Sequence, residues 1–143
     1  MYIKQISIFL PNKKGHLEKV TKLFLKHDID IRAIVAFDTT EYGILRTIVD
    51  DPDKALKVLN EEGFVAKISK VIVVEPEDRT GSLHELFEIL AKNDFNVEYT
   101  YSFVMEQDLM PYFVLKINEQ EKATKVLCEN GIKVINKKEI LSN

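Results

Sequence analysis

The chain of 143 residues contains an internal repeat, and this repeat constrains the fold more than any other feature. Residues 54–64 align with residues 122–132 at an offset of 68, and seven of the eleven positions are identical. Upstream, residues 15–17 align with residues 81–83 at an offset of 66. The change of offset adds two residues to the second copy, and we expect them in a loop because loops absorb insertions best. The repeat predicts two copies of one structural unit.

Both copies show the same alternation of strand and helix patterns. Residues 3–10 alternate polar and apolar side chains, as a half-buried strand does. Apolar residues then recur at helical spacing over 17–27, and over 83–90 in the second copy. Further strands are expected at 30–37, 43–49 and 64–68 in the first copy, and at 71–75, 96–104 and 112–117 in the second.

The second helix of each copy has residues that mark its ends. Asp51 is placed to cap the helix, and Pro52 suits the first helical position because its missing N–H is not needed there. Gly63 suits the left-handed residue that follows the last turn. We expect Asn118 and Gly131 to have the same two roles in the second copy.

The resulting order is β-α-β-β-α-β, twice. This order predicts an α+β fold made of two ferredoxin-like repeats, each an antiparallel sheet with both helices on one face. The predicted domains are residues 1–68 and 69–143. Because a unit of about 70 residues has a thin core by itself, we expect the two copies to pack as one body.

Charge and composition exclude several classes of partner. Lys and Arg number 20 against 23 Asp and Glu, a formal net charge of −3, so nucleic acid and anionic membranes are not expected partners. The first ten residues lack the basic flank and continuous apolar run of a signal peptide. No stretch approaches the roughly 18 apolar residues that span a bilayer. We therefore expect a folded cytoplasmic protein.

Patterns for catalysis and metal binding are lacking in the sequence. Cys128 is the single cysteine, and we expect it to be a buried or half-buried helix residue. The three histidines have the spacing of neither a metal site nor a catalytic triad. An acyl-phosphate hydrolase of this fold would need an Asn on a central strand, and residues 43–49 and 112–117 contain none. We expect no enzyme activity, no cofactor and no metal.

Two local features indicate a binding site. Gly15 and Gly81 precede the first helix of each copy, and glycine lets a ligand approach the free N–H groups of a helix N-terminus. Only three of the 20 basic residues are arginines, Arg32, Arg46 and Arg79, which favours positions that need a planar, forked cation. The alternatives are that the glycines only permit a tight turn and that the arginines are surface charges.

With the repeat and the two glycines, four short runs make the chain resemble the small stand-alone tandem ACT domain proteins of prokaryotes. The runs are Asn12-Lys13-Lys14-Gly15, Ile31-Arg32-Ala33-Ile34, Gly43-Ile44-Leu45-Arg46 and Ile48-Val49-Asp50-Asp51-Pro52. The resemblance extends through Leu141. It implies a non-catalytic regulatory module that binds an amino acid. The alternative is a structural or interaction subunit that docks on a metabolic enzyme without binding a ligand.

The resemblance also implies a ligand site and partners. In this family, amino acids bind between modules at the loop before the first helix and at the helix start. The corresponding residues are Asn12, Lys13, Gly15, His16, Leu17, Asp78, Arg79, Gly81, Ser82 and Leu83. Lys14 and Thr80 replace the proline that is usual in this loop. The implied partners are an amino acid, a second copy of the chain in a homodimer, and a metabolic enzyme.

Of the two loops, the second is expected to be the better ligand site. An ionised Asp78 attracts an ammonium group more strongly than the neutral amide of Asn12 does. Arg79 can bind a carboxylate through two parallel hydrogen bonds. The first copy keeps Arg32 and Arg46, which favour a role in assembly or a more acidic ligand.

Overall fold

The structure, a computed structural model, describes residues 2–11, 14–38, 42–106 and 110–141. The chain divides into two compact units: residues 4–69, and residues 70–143 together with 1–3. Both units have the element order β-α-β-β-α-β, and their strands pair antiparallel. The predicted α+β, ferredoxin-like architecture is therefore confirmed.

The first unit contains two helices and a four-stranded sheet. The elements are β1 (Ile3–Pro11), α1 (His16–Lys26), β2 (Ile31–Asp38), β3 (Tyr42–Val49), α2 (Pro52–Glu61) and β4 (Val65–Glu75). The strand order is β2-β3-β1-β4, so β2 is an edge strand of this unit. In the register, β3 places Leu45 opposite Ile8 of β1, and Arg46 opposite Val35 of β2.

The second unit repeats this arrangement around the second half of β4. Its further elements are α3 (Ser82–Lys92), β5 (Val97–Val104), β6 (Pro111–Ile117), α4 (Gln120–Glu129), β7 (Lys133–Val134) and α5 (Lys137–Leu141). β4 pairs with β6 on one side and with β7 on the other, and β6 pairs with β5. The order β7-β4-β6-β5 therefore reproduces the order of the first unit, with a last strand of only two residues.

Each unit has its own apolar core, built from one side of its strands and the inner faces of its helices. The buried residues of the first core are Ile6, Ile8, Leu10, Val20, Leu23, Phe24, Ile29, Leu45, Val49, Ala55, Val58 and Leu59. The second comprises Ile72, Val74, Leu86, Leu90, Leu115, Ile117, Ala123 and Leu127. The helical spacing of the apolar residues produces these faces, because residues three and four apart lie on one side of a helix.

The backbone repeats in detail at the ends of α1 and α3. Gly15 and Gly81 precede the two helices with φ of 86° and 90°, a left-handed conformation that glycine adopts without cost. Asp28 and Asp94, two residues beyond the helix ends, both adopt a positive φ, of 55° and 62°. The prediction that a glycine opens the first helix of each copy is confirmed.

The second helices differ at their N-termini, and here one prediction is wrong. Asp51 caps α2 as expected, since its carboxylate accepts from the Lys54 N–H at 3.1 Å. Asn118 does not cap α4: its side-chain oxygen accepts from the Asn96 N–H at 3.1 Å, and Glu119 precedes the helix without a side-chain cap. The reason is that the repeat aligns Asn118 with Asp50, whose carboxylate accepts from the Asp30 N–H at 3.0 Å.

Two further features of the second unit differ from the sequence expectations. Cys128 is exposed, so the expectation that it is buried is wrong: the core face of α4 is supplied by the adjacent Leu127 and by Ala123. The short helix α5 was not predicted. Its start is held by a reciprocal pair, in which Asn136 accepts from the Glu139 N–H and donates to the Glu139 carboxylate, both at 3.0 Å.

Candidate functional site

A cleft of about 410 Å³ lies in the first unit where α1 begins, and we call it the start cleft. It is lined by Leu10, Pro11, Gly15, His16, Leu17, Glu18, Ala36, Phe37, Gly43 and Ile44. The structure thus brings together three of the predicted site residues, Gly15, His16 and Leu17. Two others, Asn12 and Lys13, lie outside the described residues.

The start cleft combines polar backbone with an apolar wall. Bonding within α1 begins with the Lys19 N–H, which donates to the Gly15 carbonyl at 3.0 Å, so the first-turn amides before it have no partner within the helix. These amides and the helix dipole favour a negative group at this end. Phe37 and Ile44 provide the apolar wall, and Glu18 brings a carboxylate. The site can therefore receive an anion, a cation and an apolar side chain.

Arg46 supports the wall of the start cleft from a neighbouring position. Its guanidinium carbon lies 5.3 Å from the centre of the Phe37 ring, which is the geometry of a cation–π contact. Phe37 is 40% exposed, so this contact orients a ring that water would otherwise surround on one face. Arg32 instead pairs with Asp30 at 3.1 Å. Neither arginine lines the start cleft.

A larger cleft of about 920 Å³ lies on another side of α1, and we call it the lysine cleft. It is lined by Phe9, Leu10, Pro11, His16, Lys19, Lys22, Leu23, Lys26, Tyr42, Glu62, Gly63, Phe64 and Val65. The sequence analysis missed this cleft. The spacing of Lys19, Lys22 and Lys26, three and four residues apart, places them along one stripe of the helix and could have indicated it.

The second unit has a smaller cleft of about 460 Å³ at the place equivalent to the lysine cleft, and we call it the acidic cleft. It is lined by Glu75, Pro76, Glu77, Asp78, Arg79, Ser82, Glu85, Ile89, Met110, Asn130, Gly131, Ile132 and Lys133. Three predicted site residues, Asp78, Arg79 and Ser82, meet here. Gly81 and Leu83 are not part of its lining.

Arg79 is already bound within the acidic cleft. Its guanidinium donates to both carboxylate oxygens of Glu85, at 2.9 Å for the Nη1–Oε1 pair, and its Nε donates to Glu77 at 2.8 Å. The hydrogen bond from Arg79 lowers the pKa of the Glu85 carboxyl, and the two carboxylates raise the pKa of Arg79. The Ser82 N–H donates to the Arg79 carbonyl at 3.2 Å. These bonds weaken the reason for preferring the second copy, because Arg79 and the Ser82 N–H, two of the groups expected to hold a carboxylate, already have partners.

Two further kinds of feature bear on function, metal-binding clusters and membrane-spanning helices. Across residues 2–11, 14–38, 42–106 and 110–141, no group of three or more His, Cys, Asp or Glu side chains is placed to hold a metal ion. Within the same ranges, no helix is long and apolar enough to cross a membrane.

Comparison with solved structures supports the architecture. Protein BT0572 from Bacteroides thetaiotaomicron is 31% identical, with a TM-score of 0.91 over 100% of this chain and 98% of that one. The regulatory subunit of aspartate kinase from Thermus thermophilus, in a ligand-free form, is 18% identical with a TM-score of 0.61, over 88% of this chain and 91% of that one. The regulatory subunit of aspartate kinase from Thermus flavus is 17% identical with a TM-score of 0.60, over 88% of this chain and 90% of that one. At these lower identities the likeness shows the fold alone.

The family follows from the sequence match. The model of the ACT domain pair covers residues 1–143, in agreement with the two repeated units and their glycine-opened helices. The chain belongs to the ACT domain pair family, whose fold is a regulatory module, and the resemblance noted in the sequence is thereby confirmed. No curated protein matches the chain.

Proposed function

We propose that this chain is a non-catalytic regulatory module that senses an amino acid at the start cleft of the first unit. The observation that supports this most is the meeting of Gly15, His16 and Leu17 with an apolar wall at a helix N-terminus. The cleft volume of about 410 Å³ lies within the usual range for small-molecule sites. A cytoplasmic location forms part of the proposal and rests on the sequence alone.

In this proposal each part of an amino acid has a partner. The α-carboxylate accepts from the amides of the first turn of α1, where the positive end of the helix dipole lies. The ammonium group donates to the carboxylate of Glu18. The side chain packs against Phe37 and Ile44, so apolar amino acids of moderate size are the favoured ligands. Asn12 and Lys13 complete the predicted set.

The acidic cleft has a lesser part in the proposal. Asp78 and Ser82 line this cleft, and Gly81 and Leu83 are their neighbours in sequence. By the repeat, residues 81–83 correspond to residues 15–17 at the start cleft. Arg79 is held by Glu85 and Glu77, however, and an added carboxylate would have to displace one of them. We therefore assign the amino acid to the first unit and not to the second.

A thermal-shift screen over the twenty amino acids tests ligand binding. A ligand that binds only the folded state raises the free energy of unfolding by RT ln(1 + [L]/Kd), about 2.7 kcal/mol at a hundredfold excess over Kd. We expect one chemical class of amino acid to raise the melting temperature. If none does at millimolar concentration, the interaction-subunit alternative takes precedence.

A matched pair of glycine variants tests the location. Gly15→Ala and Gly81→Ala put a Cβ on the same left-handed backbone, and in both cases the added atom meets nothing within 4 Å. We expect similar losses of stability, about 1–2 kcal/mol each, because left-handed φ disfavours L-residues to this extent. Calorimetry with the amino acid from the screen should show weakened binding in Gly15→Ala alone. Weakening in Gly81→Ala alone would place the site in the second unit.

We also propose that the chain forms a homodimer through the edge of the first unit. Among the described strands β2 is the end strand of the sheet, with β3 as its hydrogen-bonded neighbour, so a second copy could pair along its outer edge. Ile34 of β2 is also 48% exposed and would lie on the surface beside such a pairing. Light scattering should give twice the chain mass of 16.5 kDa. Ile34→Lys should return the mass to that of a monomer, because a charge on an edge strand opposes pairing. A metabolic enzyme remains the partner on which such a regulator would act.

A further inference from the structure

The lysine cleft combines an apolar lining with a row of cations. Phe9 and Tyr42 pack at 6.4 Å between ring centres, tilted by 55°, and Phe64 and Val65 also line the cleft. Tyr42 is 43% exposed and Val65 is 66% exposed, so water covers much apolar surface here. Burying such surface against a ligand is favourable because it removes apolar area from water.

The cations are set along the rim of this apolar surface. Lys19, Lys22 and Lys26 are exposed, and none of them forms an ion pair with a carboxylate in the part of the chain that the structure describes. Glu62 is the acidic residue of the lining, so these four groups together have a charge of +2. Lysine stems lie along apolar surface while their ammonium groups remain in water. An incoming anion would therefore meet them before its apolar part is buried.

The second unit shows that the fold does not require this combination. By the repeat, Lys19 corresponds to Glu85 and Lys22 to Glu88, and the ring of Phe9 is replaced by the carboxylate of Glu75. The volume falls from about 920 to about 460 Å³. Glu88 pairs with Lys92, the counterpart of Lys26, at 3.2 Å, and Glu85 pairs with Arg79, so these four charges are paired within the second unit. Within the described residues, the lining of the first-unit cleft has more lysines than carboxylates, whereas the lining of the second-unit cleft has more carboxylates than cations.

We propose that the lysine cleft binds a small organic anion with an aromatic or alkyl body. The body packs against Phe9, Tyr42 and Phe64, and the anionic group lies among the ammonium groups of α1. Because lysines act as mobile point charges, they accept a carboxylate, sulfonate or phosphate without strict geometry. The volume lies at the upper end of the range of about 300–1,000 Å³ for small-molecule sites. This inference does not depend on the amino-acid site proposed in the start cleft, although the two clefts share Leu10, Pro11 and His16 in their linings.

Two fluorescent probes that differ in charge test both halves of the proposal. 8-Anilinonaphthalene-1-sulfonate has an aromatic body and an anionic group, and N-phenyl-1-naphthylamine has the same body without the charge. The triple variant with Lys19→Glu, Lys22→Glu and Lys26→Glu should raise the Kd of the sulfonate probe about tenfold or more. Each exposed charge contributes a small free energy to binding, and the three reversals add. The Kd of the neutral probe should change less than about threefold.

A second triple variant controls for net charge. Lys54, Lys57 and Lys125 are exposed, lie outside the lysine cleft, and give the same change of charge when replaced by Glu. The control should leave the Kd of the sulfonate probe within about threefold of wild type, because none of the three lysines lines the lysine cleft and salt weakens the interaction of exposed charges through water. An equal loss in both triple variants would show attraction to the whole surface and would overturn the proposal.

A variant of the apolar lining and amide NMR test where the body of the probe binds. Tyr42→Ala should weaken both probes, because each packs its rings against the same wall. Amide NMR shifts caused by the sulfonate probe should fall on residues 19–26 and 62–65. Shifts of equal size on residues 85–92 and 130–133 would place the probe in the acidic cleft and contradict the assignment. The proposal would also fail if neither probe bound the wild-type chain at micromolar concentration.

Discussion

The lysine cleft and the acidic cleft occupy the same place in two copies of one backbone, yet their chemistry is opposite. In the first, three lysines face aromatic side chains across about 920 Å³. In the second, Arg79 closes part of about 460 Å³ by binding Glu85 and Glu77. Side chains at the surface can thus be exchanged while the backbone conformation around them is kept.

What the two copies keep in common identifies what the fold needs. Both open their first helix with a left-handed glycine, and both leave it through a left-handed Asp, at Asp28 and Asp94. Both hold the start of the following strand by a side-chain oxygen, from Asp50 in one and Asn118 in the other. These positions determine backbone direction, whereas the cleft positions do not.

The largest expected effect tests whether the two cores are equivalent. Leu59 and Leu127 are identical in the repeat, and both are fully buried. Leu59→Ala and Leu127→Ala should each cost about 2–5 kcal/mol in the free energy of unfolding, because each leaves a cavity in a packed core. Denaturant unfolding measures both. Costs that differ by more than about 2 kcal/mol would show that one core collapses around the cavity and the other does not.

An effect of intermediate size tests the difference between the second helices. Asp51→Ala removes the cap of α2 and should cost about 1 kcal/mol. Glu119→Ala removes no cap, only an exposed ion pair with Lys122 at 3.0 Å, and should cost less than about 0.5 kcal/mol. Thermal unfolding of the two variants measures both losses of stability. Equal losses would mean that Glu119 supports α4 in a way that the hydrogen bonds do not show.

The smallest effect concerns the pH dependence of the acidic cleft. Arg79 holds the pKa of Glu85 below its ordinary 4.5, so the ion pair stabilises the folded state above that pH and ceases to do so as pH falls through the lower folded value. The melting temperature of wild type should be higher than that of Glu85→Gln at neutral pH. The two melting temperatures should converge below pH 4.5.

Lys19→Gln is the matched variant for that measurement, since Lys19 holds the equivalent position in the first copy. Lys19→Gln leaves the Arg79–Glu85 pair intact, so the difference in melting temperature between this variant and wild type should stay the same over this pH range. Convergence of both variants with wild type at low pH would assign the effect to general acid destabilisation and not to the Arg79–Glu85 pair.

Much of the fold could be predicted because its causes are local. The seven identities between residues 54–64 and 122–132 reveal the duplication, and apolar spacing reveals the strands and helices. Asn118 was predicted to be a helix cap, but in the repeat it corresponds to Asp50 and not to the cap Asp51. That difference of one residue separates a side chain that caps a helix from one that binds the start of a strand. The helix α5 was overlooked although Asn136 and Glu139 have the spacing of a capping box.

The clefts were harder to predict because they are formed by segments far apart in sequence. The lysine cleft joins the end of β1, the stripe on α1, Tyr42 at the start of β3 and the turn before β4. The lysines are visible in the sequence, but nothing local says that Phe9 and Phe64 lie opposite them. Likewise, the sequence suggests that Arg79 is free to fork onto a ligand. Glu85, six residues further along, receives that fork only because α3 turns it back towards the loop.

The strand β4 has a consequence for how the chain can be cut. It runs from Val65 to Glu75 without interruption, so the polypeptide passes from the first copy to the second in hydrogen-bonded, extended form. Lys67 and Lys70 within it are sites for trypsin by sequence, but a protease needs several residues released from their neighbours before it can cleave. Digestion of the native chain should therefore begin in the turns within a copy and leave this joint intact.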